Sequence, residues 1–169
     1  MNTIVTRRGP RTRSLDNRAE AFARSLRHTQ LDAGHYLYAL ATSPESGQHI
    51  RSFNVFMGYE PSYIESALRQ STELSAGSRS SQEALSLTHA AETMLRVASF
   101  MALKRHSDKP EAAGANLHPN DFIAGVLLSG SEPVDAIVRK RGVPVATILR
   151  AQKINLPPQV SEMLVRARA

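Results

Sequence analysis

The amino-acid sequence contains the same series of helix signals twice. Each copy begins with a leucine and a polar helix cap, continues through an alanine-rich helix and an apolar helix, and ends on a turn led by glycine. The offsets between matching segments are 72, 86 and 84 residues, which indicates a tandem duplication with one insertion. Self-similarity of this kind restricts the fold to two copies of one small unit. The matching segments are residues 15–19 and 87–91, 31–37 and 117–123, and 57–59 and 141–143.

Composition limits the class of protein. With 169 residues, 41% of them apolar and 21% charged, the chain has the size and balance of one ordinary globular domain. No apolar stretch approaches the roughly 20 residues that cross a bilayer, and no apolar segment follows the N-terminal arginines as in a signal peptide. We therefore expect no membrane association and a cytoplasmic location. The absence of cysteine excludes disulfides, thiolate nucleophiles and zinc sites built on cysteine.

The basic charge lies mainly near the two ends of the chain. The net charge is +6, and the basic residues are neither interleaved with aromatic residues nor accompanied by a recognised nucleic-acid-binding motif. This pattern favours solvated helix surfaces and a disordered arm over a nucleic-acid interface, which is the alternative. The residues concerned are Arg7, Arg8, Arg11 and Arg13 in the arm, and Arg139, Lys140, Arg141, Arg150, Lys153, Arg166 and Arg168 late in the chain.

Apolar residues at three- and four-residue spacing predict helices almost throughout, with almost no strand signal. Proline and glycine set most of the boundaries. In the first half, the first helix is predicted to begin at Ser14 or Asp16 and to end near His28. The remaining boundaries are Ser43 and Pro44 between the second and third helices, Gly58 after the third, and Glu60 and Pro61 before the fourth.

The second half repeats this plan, with an insertion over 106–116, and Gly142 takes the role of Gly58. Pro157 and Pro158 then precede one additional C-terminal helix. The predicted organisation is a basic flexible arm at 1–13, repeat one at 14–70, a Ser- and Gly-rich linker at 71–83, repeat two at 84–151, and an extension at 152–169.

The ordered anchors resemble a known family. These anchors are Leu-Thr-x-x-Ala at 87–91, an apolar residue four before His35 or Asp121, and an apolar residue ahead of Gly-Val at 142–143. Together they look like the duplicated N-terminal domain of the Clp-type AAA+ unfoldases, the Clp repeat (Clp R) domain, over roughly residues 15–151. The resemblance implies an all-α, pseudo-twofold domain of two four-helix repeats. It also implies binding of adaptors and substrates rather than chemistry.

Two departures from the family pattern argue against phosphoarginine binding and against ATPase activity. Many members carry Thr-Glu-His-Leu where this chain has Ala33-Gly34-His35-Tyr36, and some use that glutamate in each repeat to bind phosphorylated arginine. Gly34 and its counterpart Asn120 carry no negative charge, so we expect no phosphoarginine binding unless Asp32, Asp121 or another acid replaces the glutamate. The sequence also lacks Gly-x-x-x-x-Gly-Lys-Ser/Thr, the loop that holds nucleotide phosphates, so no ATPase activity is expected.

No catalytic or metal-binding constellation is recognisable. The six histidines form no His-x-x-x-His or His-Glu-x-x-His pair, and no serine lies in Gly-x-Ser-x-Gly. We therefore expect no enzyme activity, cofactor or metal, and interpret His35 as a hydrogen-bonded structural residue at a helix start. An enzyme whose site is assembled from scattered residues is the least favoured reading.

The favoured function is a stand-alone accessory to a Clp-type machine, whose partner is the ATPase, its adaptor or a substrate protein. The competing hypothesis is a basic helical protein that associates with nucleic acid. Tyrosines are concentrated in repeat one, where Tyr38 and Tyr59 are candidate aromatic anchors for a partner. The full set of candidate partner-binding residues is Gly34, His35, Tyr38, Tyr59, Asn120 and Asp121.

Overall fold

The computed structural model describes residues 10–44, 60–71, 74, 84–108 and 117–167. Within these ranges the regular elements are eight helices and two strands of two residues each, joined by turns and loops. The elements are α1 (Pro10–Ser25), β1 (Gln30–Leu31), α2 (Ala33–Thr42), α3 (Pro61–Arg69), β2 (Ser86–Leu87), α4 (His89–Arg105), α5 (Pro119–Leu127), α6 (Glu132–Arg141), α7 (Val145–Ala151) and α8 (Pro158–Ala167).

The helices fall into the two predicted repeats. In repeat one α1, α2 and α3 correspond to α4, α5 and α7 of repeat two, and α8 is the additional C-terminal helix. The fold is therefore all-α and pseudo-twofold, as the duplication predicted. The third helix of repeat one, predicted between Ser43 and Gly58, lies mainly outside the described residues, as do the residues 1–9 of the predicted arm.

Proline and glycine set several boundaries as expected. Pro61 is the first residue of α3 and Pro158 the first of α8, because a missing N–H costs nothing at a helix start. Ser43 ends α2. Gly142 ends α6 with φ of 66°, a left-handed conformation that glycine adopts without steric cost.

The start of α1 differs from the prediction. The helix begins at Pro10, inside the segment predicted as a flexible arm, and it ends at Ser25 rather than near His28. Asp16 therefore lies within the helix and does not cap it. Its carboxylate instead accepts a hydrogen bond of 2.8 Å from the Tyr36 hydroxyl of α2.

The two short strands were not predicted. β1 and β2 pair in parallel, with Leu31 opposite Leu87, and the Thr88 N–H donates to the Leu31 carbonyl at 3.0 Å. Two residues are too few to show an alternating pattern, so periodicity could not find them. This pairing joins the segment before α2 to the segment before α4, and thus joins the two repeats.

A continuous apolar core extends through both repeats. Its largest fully buried side chains include Tyr36 and Leu40 of α2, Leu68 of α3, Met94 of α4 and Phe122 of α5. The predicted linker contributes to this core, since Leu74 is buried and its carbonyl accepts a hydrogen bond from the Thr29 N–H. No described helix is long and apolar enough to cross a membrane.

The contact between α4 and α5 depends on Gly125. An added Cβ on Gly125 of α5 would lie 2.5 Å from the Met94 carbonyl oxygen of α4. Because that neighbour is backbone, Gly125→Ala must push the two helices apart, and we expect a loss of about 2 kcal/mol or more in the free energy of unfolding. Urea denaturation measures this loss.

Gly34→Ala provides the matched control. A Cβ on Gly34 would lie 2.7 Å from Leu68 Cδ2, the end of a side chain that can rotate away. We expect this substitution to cost about 1 kcal/mol or less. An equal or larger loss for Gly34→Ala would show that the α4–α5 approach is not the tighter constraint.

Candidate functional site

The second helix of each repeat begins with the same reciprocal pair of hydrogen bonds. In α2 the Asp32 carboxylate accepts from the Gly34 N–H at 2.9 Å, and His35 Nδ1 accepts from the Asp32 N–H at 2.8 Å. In α5 His118 Nδ1 accepts from the Asn120 N–H at 3.2 Å, and the Asp121 carboxylate accepts from the His118 N–H at 2.8 Å. Both are capping boxes, in which two backbone donors are satisfied by side chains.

The acid and the imidazole have exchanged places between the repeats. Repeat one has Asp32 at the cap and His35 three residues later, whereas repeat two has His118 at the cap and Asp121 three residues later. Either side chain can accept a backbone hydrogen bond, so the duplication conserves the geometry rather than the residue types.

Asp32 also binds the second repeat. Its Oδ1 accepts from Ser131 Oγ at 2.5 Å, and its Oδ2 accepts from Thr88 Oγ1 at 2.9 Å. Ser131 and Thr88 are themselves the caps of α6 and α4. One buried carboxylate therefore connects the starts of three helices, and hydrogen bonds to a charged group are about twice as strong as neutral ones.

A second histidine completes a buried chain of hydrogen bonds. His28 Nδ1 lies 2.8 Å from His35 Nε2, and both side chains are buried. Since His35 Nδ1 accepts from the Asp32 N–H, its proton must be on Nε2, which donates to His28 Nδ1. Both imidazoles are therefore neutral in this arrangement.

Burial controls the pKa of both histidines. Desolvation lowers the pKa of His35, the neighbouring His28 acts in the same direction and Asp32 opposes the shift, with the result that the pKa is about 4. Desolvation also lowers the pKa of His28, with Asp32 opposing it and Arg69 contributing in the same direction as burial. A neutral imidazole pair is thus stable at neutral pH.

The opposite shift occurs at Asp121. Burial raises the pKa of Asp121 to about 6, although the His118 N–H and the Arg105 guanidinium both lower it. Arg105 of α4 forms an ion pair with the Asp121 carboxylate. The Asp121 carboxylate therefore binds both the start of α5 and Arg105 of α4.

The six predicted partner-binding residues differ in their exposure in the structure. Gly34, His35 and Asp121 are buried, and their roles are to begin helices, as the structural interpretation of His35 anticipated. In this arrangement none of the three presents a side chain to a partner. Asn120 is half-buried, and its Oδ1 has no hydrogen-bond donor among the described residues. Tyr59 lies outside the described residues.

Tyr38 remains as a surface candidate. It is half-buried on α2, and its ring stacks on Phe22 of α1 with centroids 3.5 Å apart and planes 10° from parallel. Phe22 therefore holds the tyrosine ring in one orientation. A fixed aromatic ring loses little conformational freedom when a partner covers it.

The acids considered as replacements for the family glutamate are used internally. Asp32 is bound by Gly34, Thr88 and Ser131, and Asp121 is bound by His118 and Arg105. Neither carboxylate is exposed to receive a guanidinium ligand. Among the residues that the structure describes, no group of three or more His, Asp or Glu side chains could hold a metal ion.

Sequence reasoning missed Asp32 as a site residue, although its signal was present. Asp32 stands three residues before His35, which is the spacing of a capping box, and the same spacing separates His118 from Asp121. The bond to Ser131 had no such signal, because 99 residues separate the two side chains.

Comparisons with known proteins show the fold. No protein-family model and no curated protein matches the chain. Among solved structures, the chain is similar to a protein from a malarial protein secretion system, with a TM-score of 0.60 and 19% identity over 88% of this chain and 93% of the other. It is also similar to the Hsp104 N-terminal domain from Candida albicans, with a TM-score of 0.56 and 15% identity over 87% and 89%. The fold is that of a Clp-type N-terminal domain.

The shifted pKa of His35 predicts a pH dependence of stability. Unfolded chains bind a proton at His35 below pH 6.5, whereas the folded protein binds one only near pH 4. Stability from this group is therefore complete above pH 6.5 and is lost as the pH falls toward 4, by on the order of 3 kcal/mol. His35→Gln keeps an acceptor for the Asp32 N–H but cannot ionise, so between pH 6.5 and 4 it should gain stability relative to the wild type.

Asp121 requires a control variant because its effect on the pH dependence of stability is opposite to that of His35. Its raised pKa of about 6 lets the folded protein bind a proton before the unfolded chain does, so this group favours folding below pH 6. Asp121→Asn removes that contribution. Urea titrations of both variants across the pH range give the free energy of unfolding and separate the contribution of His35 from that of Asp121. Parallel stability curves for the wild type and His35→Gln would contradict the neutral imidazole pair.

Proposed function

We propose that this chain is a non-catalytic protein-binding module that serves a Clp-type chaperone or protease machine as an accessory, adaptor or substrate-recognition factor. The observation that carries the proposal is the fold, which matches the N-terminal domain of Hsp104 over 87% of this chain and 89% of that domain. Because the similarity extends over almost the whole of both chains, it includes both repeats.

The proposal includes a cytoplasmic role in which residues 1–169 bind a partner without ATP hydrolysis. It is supported by the sequence, which contains two repeats and no phosphate-binding loop. Its partner is the ATPase, its adaptor or a substrate protein, and the interaction is binding alone. The buried carboxylates and imidazoles support this view, because Asp32, His35 and Asp121 are occupied by helix capping and His28 by its hydrogen bond with His35.

The partner surface in this proposal includes Tyr38 and the adjacent helix ends of repeat one. Tyr38 combines partial exposure with a ring fixed by Phe22, and its hydroxyl makes no hydrogen bond to another described residue. A partner can therefore gain both apolar contact and a hydrogen bond at one position. Repeat two offers no aromatic ring at the corresponding place, since Ala124 stands there.

The test is retention of partners by the immobilised chain from a lysate of its own organism, at low and at high salt. We expect a Clp-type ATPase, its adaptor or a defined substrate protein to stay bound at high salt. Tyr38→Ala should weaken that retention about tenfold or more, as loss of a central aromatic anchor does. Nucleic acid that washes off with salt, and no protein of this class, would contradict the proposal.

Tyr63→Ala is the matched control for this variant. Tyr63 is also a half-buried tyrosine of repeat one, but it lies on α3 beneath Lys140. Circular dichroism establishes that both variants are folded at the temperature of the experiment. Equal weakening by the two substitutions would remove Tyr38 as the specific anchor while leaving the class of partner unchanged.

A further inference from the structure

A buried histidine follows the turn that ends α1. The turn is left-handed at Arg27, whose N–H donates to the Arg24 carbonyl at 3.0 Å. The His28 N–H then donates to the Ala23 carbonyl, also at 3.0 Å, which completes a common way of closing a helix. α7 is closed by the same two hydrogen bonds, and there the residue that corresponds to His28 is the buried Ile154. The turn therefore needs only an apolar residue at position 28, and histidine adds a titratable group.

His28 and His35, the histidine pair, admit only one arrangement of protons. His35 Nδ1 accepts from the Asp32 N–H, so His35 Nε2 carries the proton that is donated to His28 Nδ1 over 2.8 Å. A proton added to His35 would go to Nδ1 and would face the Asp32 N–H. A proton added to His28 would go to Nδ1 and would face the Nε2–H of His35. Either protonation therefore breaks one of the hydrogen bonds that hold the pair.

The charged groups around the histidine pair come from the segment before α2 and from α3. Burial lowers the pKa of His28, Asp32 opposes this effect, and Arg69 of α3, which is itself paired with Glu65, adds to it. Burial and the neighbouring His28 lower the pKa of His35, and Asp32 again opposes them. Among the described residues, α1 adds no charged group to either effect. The pair is therefore neutral at neutral pH and takes up a proton only in acid.

The histidine pair touches the aromatic ring that holds Tyr38. The Phe22 ring meets the His35 ring edge to face, with centroids 6.1 Å apart, and the same Phe22 ring stacks on Tyr38. Phe22 belongs to α1, whereas His35 and Tyr38 belong to α2. The histidine pair also joins the end of α1 to the first turn of α2. The stack and the pair therefore depend on the same junction between the two helices.

We propose that the histidine pair is an acid-sensitive switch, which fixes the Tyr38 ring for partner binding and releases it when either imidazole is protonated. The inference rests on the proposed protein-binding function for the identity of the surface, and it adds the regulation of that surface. Loss of the hydrogen bond frees the end of α1, and Phe22 moves with it. A partner must then order a mobile tyrosine ring, so its affinity should fall about two- to tenfold.

The test follows the Tyr38 ring by NMR in the full chain, with isotope-labelled tyrosine and with Tyr38→Phe to assign the resonance. At neutral pH the stack on Phe22 should displace the Tyr38 ring protons upfield. As the pH falls from 6.5 toward 4, the wild type should lose this displacement. Tyr63 of α3 is the internal control and should keep its resonance. Far-UV circular dichroism that stays constant over the same range separates local release from unfolding.

His28→Asn combined with His35→Gln tests the assignment to the histidine pair. Both amides can form hydrogen bonds but cannot ionise, so the Tyr38 resonance of this double variant should not change with pH. The matched control is His89→Asn, which removes an exposed imidazole from the start of α4 and should leave the wild-type transition in place. A transition in the double variant equal to that of the wild type would overturn the proposal.

Asp121→Asn is a second control, because Asp121 also titrates in this range. This variant should show the same change at Tyr38 as the wild type, and abolition of the change would assign the switch to Asp121 instead. If the double variant does not fold, the wild-type titration alone decides. A Tyr38 resonance that stays constant in the folded wild type, or that moves only together with Tyr63, would overturn the proposal.

Failure of the switch is distinguishable from failure of the proposed function. The retention experiment is repeated at neutral pH and at about pH 5 with the wild type and the double variant. We expect the wild type to lose two- to tenfold more of the retained Clp-type ATPase, adaptor or substrate protein in acid than the double variant does, by the ordering cost given above. Equal losses would overturn the regulation. If acid releases Tyr38 but no protein of this class is retained at either pH, the switch stands and its assigned machine is wrong.

Discussion

The buried carboxylate of Asp32 is the interaction on which the rest of the structure depends. It begins α2 in repeat one and accepts hydrogen bonds from Thr88 and Ser131, the caps of α4 and α6 in repeat two. A buried charge is tolerated only when its hydrogen bonds are satisfied, so the three donors must stay in place together. The parallel pairing of β1 with β2 lies directly beside this cluster and supports the same junction.

The duplication explains why the capping boxes are symmetric and why their chemistry is not. Exchange of acid and imidazole preserves the helix starts, but it gives His35 a lowered pKa and Asp121 a raised one. The two groups therefore respond to acid in opposite directions. All of these side chains are used in the interior, so the partner surface that we propose is built around Tyr38 instead.

Much of the fold could be predicted because local signals specified it. Pro61, Gly142 and Pro158 each act on their own helix end, and the 86-residue offset correctly paired His35 with Asp121. The start of α1 was wrong, since Asp16 is a good cap by type but bonds to Tyr36 instead. Tertiary packing overrode local preference there, and the two-residue strands gave no periodic signal at all.

The candidate site was less predictable than the fold because it depends on contacts between residues that are distant in the sequence. Family resemblance drew attention to Gly34 and Asn120, whereas the structure shows that Gly34 is buried and that a side chain there would collide with Leu68. The bond between Asp32 and Ser131 spans 99 residues, and no spacing rule within one chain connects such positions. The stack of Tyr38 on Phe22 is equally non-local, so its fixed ring emerged only from the structure.

A double-mutant cycle between Asp32→Ala and Ser131→Ala tests the central claim most directly, with free energies of unfolding from urea denaturation. If the carboxylate couples the repeats, the double variant should lose less free energy of unfolding than the sum of the two single variants. The difference should be about 1 kcal/mol or more, as expected for a hydrogen bond to a charged group. The same cycle with Ser99→Ala, whose hydroxyl bonds only to the Leu95 carbonyl of its own helix, should be additive. Additivity within about 0.4 kcal/mol for Asp32 and Ser131 would show that this hydrogen bond does not couple the repeats.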